Sequence, residues 1–251
     1  ENIEEVISIV KGANTNKTKV TIAGNGTGLT GARVPQNGIV IATDKLNKIL
    51  EINPTEFYAL IEPAVLLSDF QKELKQQNLF YPPDPTETNC YIGGTVATNA
   101  SGAKTFKYGP TRDYVIGLQV ILPDGEVLDL ERGKQKAIGY DLTLTTQSGK
   151  IISLQIPDYT FPAVKNASGY FVKKDMDAID LFIGSEGTLG IITKIKLKLL
   201  PQPEVTISCV LFLEDETIAL NFLEEARDKS FKNRKNNVND KINALALEFF
   251  D

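Results

Sequence analysis

Residues 23–35 read AGNGTGLTGARVP. Gly24, Gly26, Gly28 and Gly31 crowd into this stretch directly after the apolar run KVTIA at 19–23. A plain β-turn uses one or two glycines, so the crowding asks for a further cause. Glycines let backbone N–H groups converge on an anion and let a phosphate come close to the chain. The stretch lacks the Gly-Lys-[Ser/Thr] ending of a Walker loop. Gly26 to Gly31 does match G-x-G-x-x-G, but the dinucleotide reading of that pattern needs a helix to begin inside it. Pro35 and Gly38 break a helix there. Asp44 follows too soon to hold a ribose as the fingerprint demands. The segment therefore reads as a phosphate-cradling loop between two strands, the second being GIVIA at 38–42.

Two further segments share this character. Residues 81–109 read YPPDPTETNCYIGGTVATNASGAKTFKYG. Prolines stiffen the start, while Gly93, Gly94, Gly102 and Gly109 permit close approach. Thr95, Thr98, Asn99 and Ser101 place small polar groups between them. Such a stretch suits a cofactor laid against backbone; the alternative is a long structural loop, which is uncommon without a function. Residues 181–193 read LFIGSEGTLGIIT, with Gly184, Gly187 and Gly190 around Glu186 and Thr188. A tight connection with Glu186 as a local cap would also explain this third segment.

Outward from these loops the pattern is α+β. Ile3, Val6, Ile7 and Val10 have helical spacing, as do Leu67, Phe70 and Leu74, with Ser68 as a cap. Strands are predicted at 19–23, 38–42, 58–65, 115–122, 126–130 and 150–156, a turn or short helix at 44–50, and a short helix at 177–182. Residues 191–200 alternate, with Ile191, Thr193, Ile195, Leu197 and Leu199 on one face and three lysines on the other. Pro201 and Pro203 mark a boundary. A β-α-β unit is predicted beyond it: strand 205–213, helix 215–228, a polar loop including Lys229 to Lys241, and strand 244–250. The expected organisation is a domain over 1–203, with subdomains of about 1–65 and 66–203, and the beginning of another over 204–251. The start at Glu1 and the apolar run ALALEFFD at the other end read as a piece of a longer protein.

Composition narrows the chemistry. The chain has 251 residues and no histidine, which excludes a self-contained Ser-His-Asp triad, a histidine-ligated metal and a histidyl-tethered cofactor. A net charge of −5 and the lack of a basic stripe argue against nucleic acid. No apolar run approaches the roughly 18 residues of a membrane span. Two distant cysteines make no disulfide framework, which points to a reducing, cytoplasmic setting. Cys209, in VTISCVLFL, reads as core, and Cys90 as a packing residue beside a glycine loop. The sequons at Asn16, Asn25, Asn99 and Asn166 read as chance matches in such a protein.

GNGTGLTG, PPDP, IGGTVATNASG, KYGPTRDYVIGLQVILPDGEVL, KNASGY and LFIGSEGTLGIIT occur here in this order. In that set the chain resembles the FAD-binding domain of the vanillyl-alcohol oxidase superfamily, the two-subdomain PCMH-type flavin fold. Within it the chain is most similar to the FAD-linked D-2-hydroxy-acid dehydrogenases: glycolate oxidase subunit, D-lactate dehydrogenase and D-2-hydroxyglutarate dehydrogenase. KNASGYFVKKDMDAIDLFIGSEGTLG and ALEFFD look most like the large members that continue into an iron–sulfur region.

The resemblance implies roles for particular residues. Gly24, Asn25, Gly26, Thr27, Gly28, Leu29 and Thr30 match the pyrophosphate loop. Pro83, Asp84, Pro85, Thr86 and Asn89, then Gly93, Gly94, Thr95, Ala97, Thr98, Asn99, Ala100 and Ser101, match the segments lining pyrophosphate, ribityl chain and isoalloxazine, with Tyr108 following. Glu186, Gly187, Gly190, Ile191 and Ile192 match the stretch that closes from the other side. FAD is expected to be non-covalent, since Cys90 sits in no recognisable tethering motif. The implied reaction moves a hydride from the carbinol carbon of a D-2-hydroxy acid to the flavin. Another flavin oxidase of alcohols or sugar lactones, or a module that only binds FAD, are the alternatives. In the family the substrate-handling groups come mainly from a further domain, and an iron–sulfur centre is the expected electron acceptor. No catalytic residue or metal ligand is assigned. Arg33 reads as a surface or FAD-side cation, and Arg112 as a structural partner of Asp113.

Overall fold

The computed structural model describes residues 2–238 and 241–250. The chain begins with helix α1 (Ile3–Thr15), whose N-cap Asn2 accepts from the Glu5 amide at 2.9 Å. Strands β1 (Val20–Ala23), β2 (Ile39–Ala42), β3 (Ile49–Asn53) and β4 (Tyr58–Ile61) follow, then helix α2 (Leu67–Gln76) and the short β5 (Leu79–Phe80). Two short helices, α3 (Ile92–Ala97) and α4 (Thr105–Tyr108), lead to β6 (Val115–Ile121), β7 (Val127–Glu131), β8 (Asp141–Thr145) and β9 (Ile151–Gln155). The remainder is α5 (Ile179–Phe182), β10 (Ile191–Lys198), β11 (Leu200–Pro201) and α6 (Glu216–Lys235).

A five-stranded antiparallel sheet, ordered β3-β4-β10-β6-β7, is the frame. β10 lies at its centre because both of its edges pair, and its alternation is the one read from sequence. Ile191, Thr193, Ile195 and Leu197 are buried while the lysines between them are not. Behind this sheet sits the main core, with Ile61, Phe70, Ile92, Leu118, Ile179 and Ile195 all excluded from water. β3 and β4 precede residue 65 yet belong to this sheet, so hydrogen bonding runs across the expected division at 65/66.

β1 and β2 form a separate parallel pair, Val20 opposite Ile39 through Ala23 opposite Ala42. Parallel neighbours cannot be joined by a tight hairpin. The glycine-rich residues 24–38 are that connection, made here without a helix. α1 covers this pair through Val6 and Val10, and the same small core includes Ile41, Ile121, Val127 and Ile191. The parallel pair is thereby held against one end of the large sheet, and the site lies along that junction.

Several expectations are corrected. Residues 205–213 and 244–250 form no strand. They have a strand's composition, but a strand is a paired state, and neither run finds a ladder partner among the described residues. Val205, Ile207, Val210 and Phe212 are exposed, and so is Cys209, expected in the core. The helix expected to stop at 228 continues to Lys235, absorbing the first part of the predicted polar loop; residues 239 and 240 of that loop lie outside the described set. Ser68 is not the cap of α2. The helix starts at Leu67, with Leu66 at the cap position two residues before Ser68, and the Leu67 and Ser68 amides donate to the carbonyls of Cys90 and Thr88. The expected turn or helix at 44–50 ends in the first residues of β3. β8 was not anticipated, although Leu142 and Leu144 alternate with polar neighbours as a half-buried strand requires.

Candidate functional site

The three glycine-rich segments meet. Residues 24–33 leave the end of β1, residues 85–100 pass beside them through α3, and residues 186–192 run into β10. Together they line a cleft of about 290 Å³. Backbone hydrogen bonds fix their mutual placement. The Gly184 amide donates to the Val96 carbonyl at 3.0 Å and the Glu186 amide to Ala97 at 2.8 Å, so the third segment is clipped to the end of α3. The Gly93 amide donates to Pro63 at 2.7 Å, tying the start of α3 to the residues just past β4.

One side chain tethers the glycine loop across the cleft, and a second ties the start of α3 to the residues just past β2. Asn25 Nδ2 donates to the Asn89 carbonyl. The Tyr91 hydroxyl donates to Asp44 Oδ1 at 2.9 Å, and its ring faces Gly24. That bond to a carboxylate raises the Tyr91 pKa. Asp44, weighed in the sequence for a ribose, is in this structure the acceptor for a tyrosine.

Most residues singled out from sequence reach the cleft wall. Gly24, Asn25, Gly26, Thr27, Gly28 and Thr30 do so from the first segment; Pro85, Gly93, Gly94, Thr95, Ala97, Thr98 and Ala100 from the second; Glu186, Gly187, Gly190 and Ile192 from the third. Others stand behind or beside it. Leu29 points fully into solvent. Pro83 is buried, and Asp84 pairs with Lys104 at 2.8 Å. Thr86 is exposed; Asn89 contributes the carbonyl that holds Asn25. Asn99 Oδ1 accepts from the Arg112 amide at 3.0 Å. Ser101 also lies outside the wall, and Tyr108 packs edge-on against Phe80. Ile191 faces the smaller core. Sequence reading missed Ile22, Ala32, Thr43, Pro63 and Tyr91 as wall residues, whereas Glu87 lies within the stretch from Pro83 to Asn89 that the resemblance placed there. Thr43 and Pro63 come from strand ends brought close by pairing, which carries no local signal. Tyr91 carried a signal, as an aromatic residue two positions before the Gly93-Gly94 pair.

Behind the cleft, Asp180 gathers two arginines. Arg112 Nη1 lies 3.0 Å from Asp180 Oδ1, and Arg132 binds both carboxylate oxygens at 3.0 and 3.1 Å. Arg112 also donates to the carbonyls of Asp180 and Ile183, both at 2.6 Å, and stacks on Phe171 at 4.2 Å. The role expected for Arg112 is structural, but the partner is Asp180 and not Asp113. Asp113 is left partly desolvated, and burial raises its carboxyl pKa. This cluster ties the end of the second segment to the start of the third.

A family model described as an FAD binding domain matches residues 1–131, more than half of the chain. The chain belongs to this FAD-binding family. The domain is 39% identical over 213 residues to a D-lactate dehydrogenase of Anaerostipes hadrus, covering 84% of this chain and 38% of that one. It is 32% identical over 252 residues to a D-2-hydroxyglutarate dehydrogenase of Stutzerimonas stutzeri, with coverages of 100% and 44%. With glycolate oxidase subunit GlcD of Bacillus subtilis the identity is 33% over 205 residues, with coverages of 81% and 36%. The chain thus spans less than half the length of these relatives. Among solved structures, an alkyldihydroxyacetonephosphate synthase superposes with a TM-score of 0.56 at 23% identity, over 80% of this chain and 33% of that one, which shows the shared fold.

The cleft of the FAD-binding domain suits a dinucleotide in its own terms. A Cβ added at Gly28 or Gly94 would meet no protein atom within 4 Å, so these two open onto free space. Gly93 and Gly190 instead press on Pro63 and Ile121 and seal the walls. Hydroxyls line the space at Thr27, Thr30, Thr43 and Thr98, and apolar surface at Ile22, Ala97 and Ile192. Backbone, small polar groups and a flat apolar surface are the donor set for phosphates and aromatic rings.

Proposed function

We propose that this chain is the FAD-binding part of a flavin-dependent oxidoreductase that oxidises a D-2-hydroxy acid of the lactate, 2-hydroxyglutarate or glycolate type. The observation that carries this reading is the convergence of all three glycine-rich segments on one cleft, in a chain with relatives named for those substrates. Bound there, FAD supplies the hydride acceptor. Residues 24–30 hold its diphosphate, residues 85–100 and 186–192 flank the remainder, and Thr43 and Thr98, whose hydroxyl protons go to the Ala23 and Gly94 carbonyls, offer oxygen acceptors. The flavin is held non-covalently. Cys90 is the thiol on the cleft wall, and burial pushes its pKa up to about 11, so at neutral pH it carries little of the thiolate a covalent link would need.

Of the two carboxylates on the cleft wall, Glu87 is turned onto the Asn89 amide at 2.7 Å, and we assign neither it nor Glu186 as the base for the substrate hydroxyl. Residues 1–203 are accordingly read as the cofactor domain and 204–251 as the start of the substrate domain. No helix among the described residues is long and apolar enough to cross a membrane. We read the whole protein as cytoplasmic, passing electrons to an iron–sulfur centre. The test is flavin bleaching in the full-length protein. D-lactate, D-2-hydroxyglutarate or glycolate should reduce the bound flavin without oxygen; reduction only by sugars or lactones overturns the substrate class.

A further inference from the structure

Arg33 is the one cation among the side chains that line the cleft; the other charged groups there are the carboxylates of Glu87 and Glu186. It stands at the far end of the glycine loop and folds back over it. Its Nη1 donates to the Gly24 carbonyl at 3.3 Å, a long bond on an exposed side chain. No ion pair holds it among the described residues. Its guanidinium lies directly over Gly26, where an added Cβ would come within 1.8 Å of Nη1. The residue that could crowd this loop is therefore absent, and a planar, permanently charged fork fills the space above the backbone.

We propose that Arg33 is the cation that neutralises the diphosphate of the cofactor, re-aiming from the Gly24 carbonyl onto the phosphate oxygens as the ligand seats. This rests on the FAD reading above and adds the residue that makes the loop select phosphorylated ligands. A diphosphate is doubly negative, and backbone amides alone supply only partial charges. A guanidinium can bind two oxygens at once, and such charge-assisted bonds are about twice as strong as neutral ones. Breaking one long, solvent-exposed hydrogen bond costs little by comparison.

The experiment compares FAD, ADP and riboflavin binding to the full chain and to Arg33→Ala, Arg33→Met and Arg33→Lys, at low and at physiological salt. Arg33→Ala and Arg33→Met should lose about tenfold or more in affinity for FAD and ADP. Riboflavin, which has no phosphate, should bind as it does to the unsubstituted chain, and Arg33→Lys should recover part of the loss. The salt dependence of FAD binding should flatten in the neutral variants. Equal FAD affinity in all four proteins overturns the proposal while leaving the FAD reading intact. An equal loss for riboflavin and FAD also overturns it, because that is the mark of a structural role. If the unsubstituted chain takes up none of the three ligands, the FAD reading fails and this proposal with it.

Discussion

Gly102 passes the carbonyl of Asp84 so closely that a Cβ on Gly102 would lie 1.7 Å from that oxygen. The contact closes the second glycine-rich segment on itself, joining its proline-rich start to its far end. The neighbouring atom is backbone and cannot step aside. Gly102→Ala should therefore destabilise the fold by about 1–3 kcal/mol, the usual range for forced overpacking. Urea denaturation checks this: a lowered midpoint is expected, and an unchanged midpoint would mean that the segment gives way freely.

Gly28 has the opposite surroundings, with no protein atom near an added Cβ. Gly28→Val should leave stability within about 0.5 kcal/mol, as surface substitutions do. Its branched side chain would occupy the cleft, so FAD affinity should fall at least tenfold. Thermal melting and flavin titration on the same preparation separate the two effects. Gly94→Val should behave alike.

The contrast between these glycines shows what the sequence could disclose. Gly26 and Gly31 take positive φ, which the chain path alone asks of a glycine, but Gly24 and Gly28 do not. Four glycines in eight positions therefore exceed the needs of a turn, and 24–31 was legible as a candidate ligand segment. Which glycines face the ligand and which face other backbone was not, because Asp84 meets Gly102 only after the chain has folded. β10 was legible because its lysines alternate with buried residues over eight positions. β3 was missed because it is bulged between Ile49 and Glu51, which breaks its alternation. Residues 205–213 and 244–250 misled because apolar content measures a wish for burial, while a strand also requires a partner edge.

Asp180 is 8% exposed and answers both Arg112 and Arg132. Asp180→Ala would leave two partly buried guanidinium groups without the carboxylate that both of them bind. Removing one partner of a buried pair costs about 3–5 kcal/mol. A fall of that size is expected in urea unfolding. Asp180→Asn keeps the shape and should lose less. Equal losses would show that the carboxylate charge and not its packing dominates the cluster.

The two cysteines should differ in reactivity. Cys209 is exposed, whereas Cys90 is 7% exposed on the cleft wall. At about pH 8, iodoacetamide should label Cys209 readily and Cys90 slowly, since only the thiolate reacts. FAD should slow Cys90 further, as peptide mass mapping would show. Burial holds the folded Cys90 pKa at about 11, above the ordinary 9.0. Its stabilising contribution is therefore complete below the lower value and is lost as pH rises toward the upper one. Cys90→Ala should flatten the alkaline loss of stability.

The most direct test of the cofactor reading is flavin uptake by the chain itself. Protein freed of bound ligand is mixed with excess FAD, passed through a desalting column, and its absorption spectrum and circular dichroism are recorded. One flavin per chain should be carried through, with the spectrum of oxidised FAD, and be released on denaturation. A natively folded chain that emerges colourless would contradict the cofactor reading.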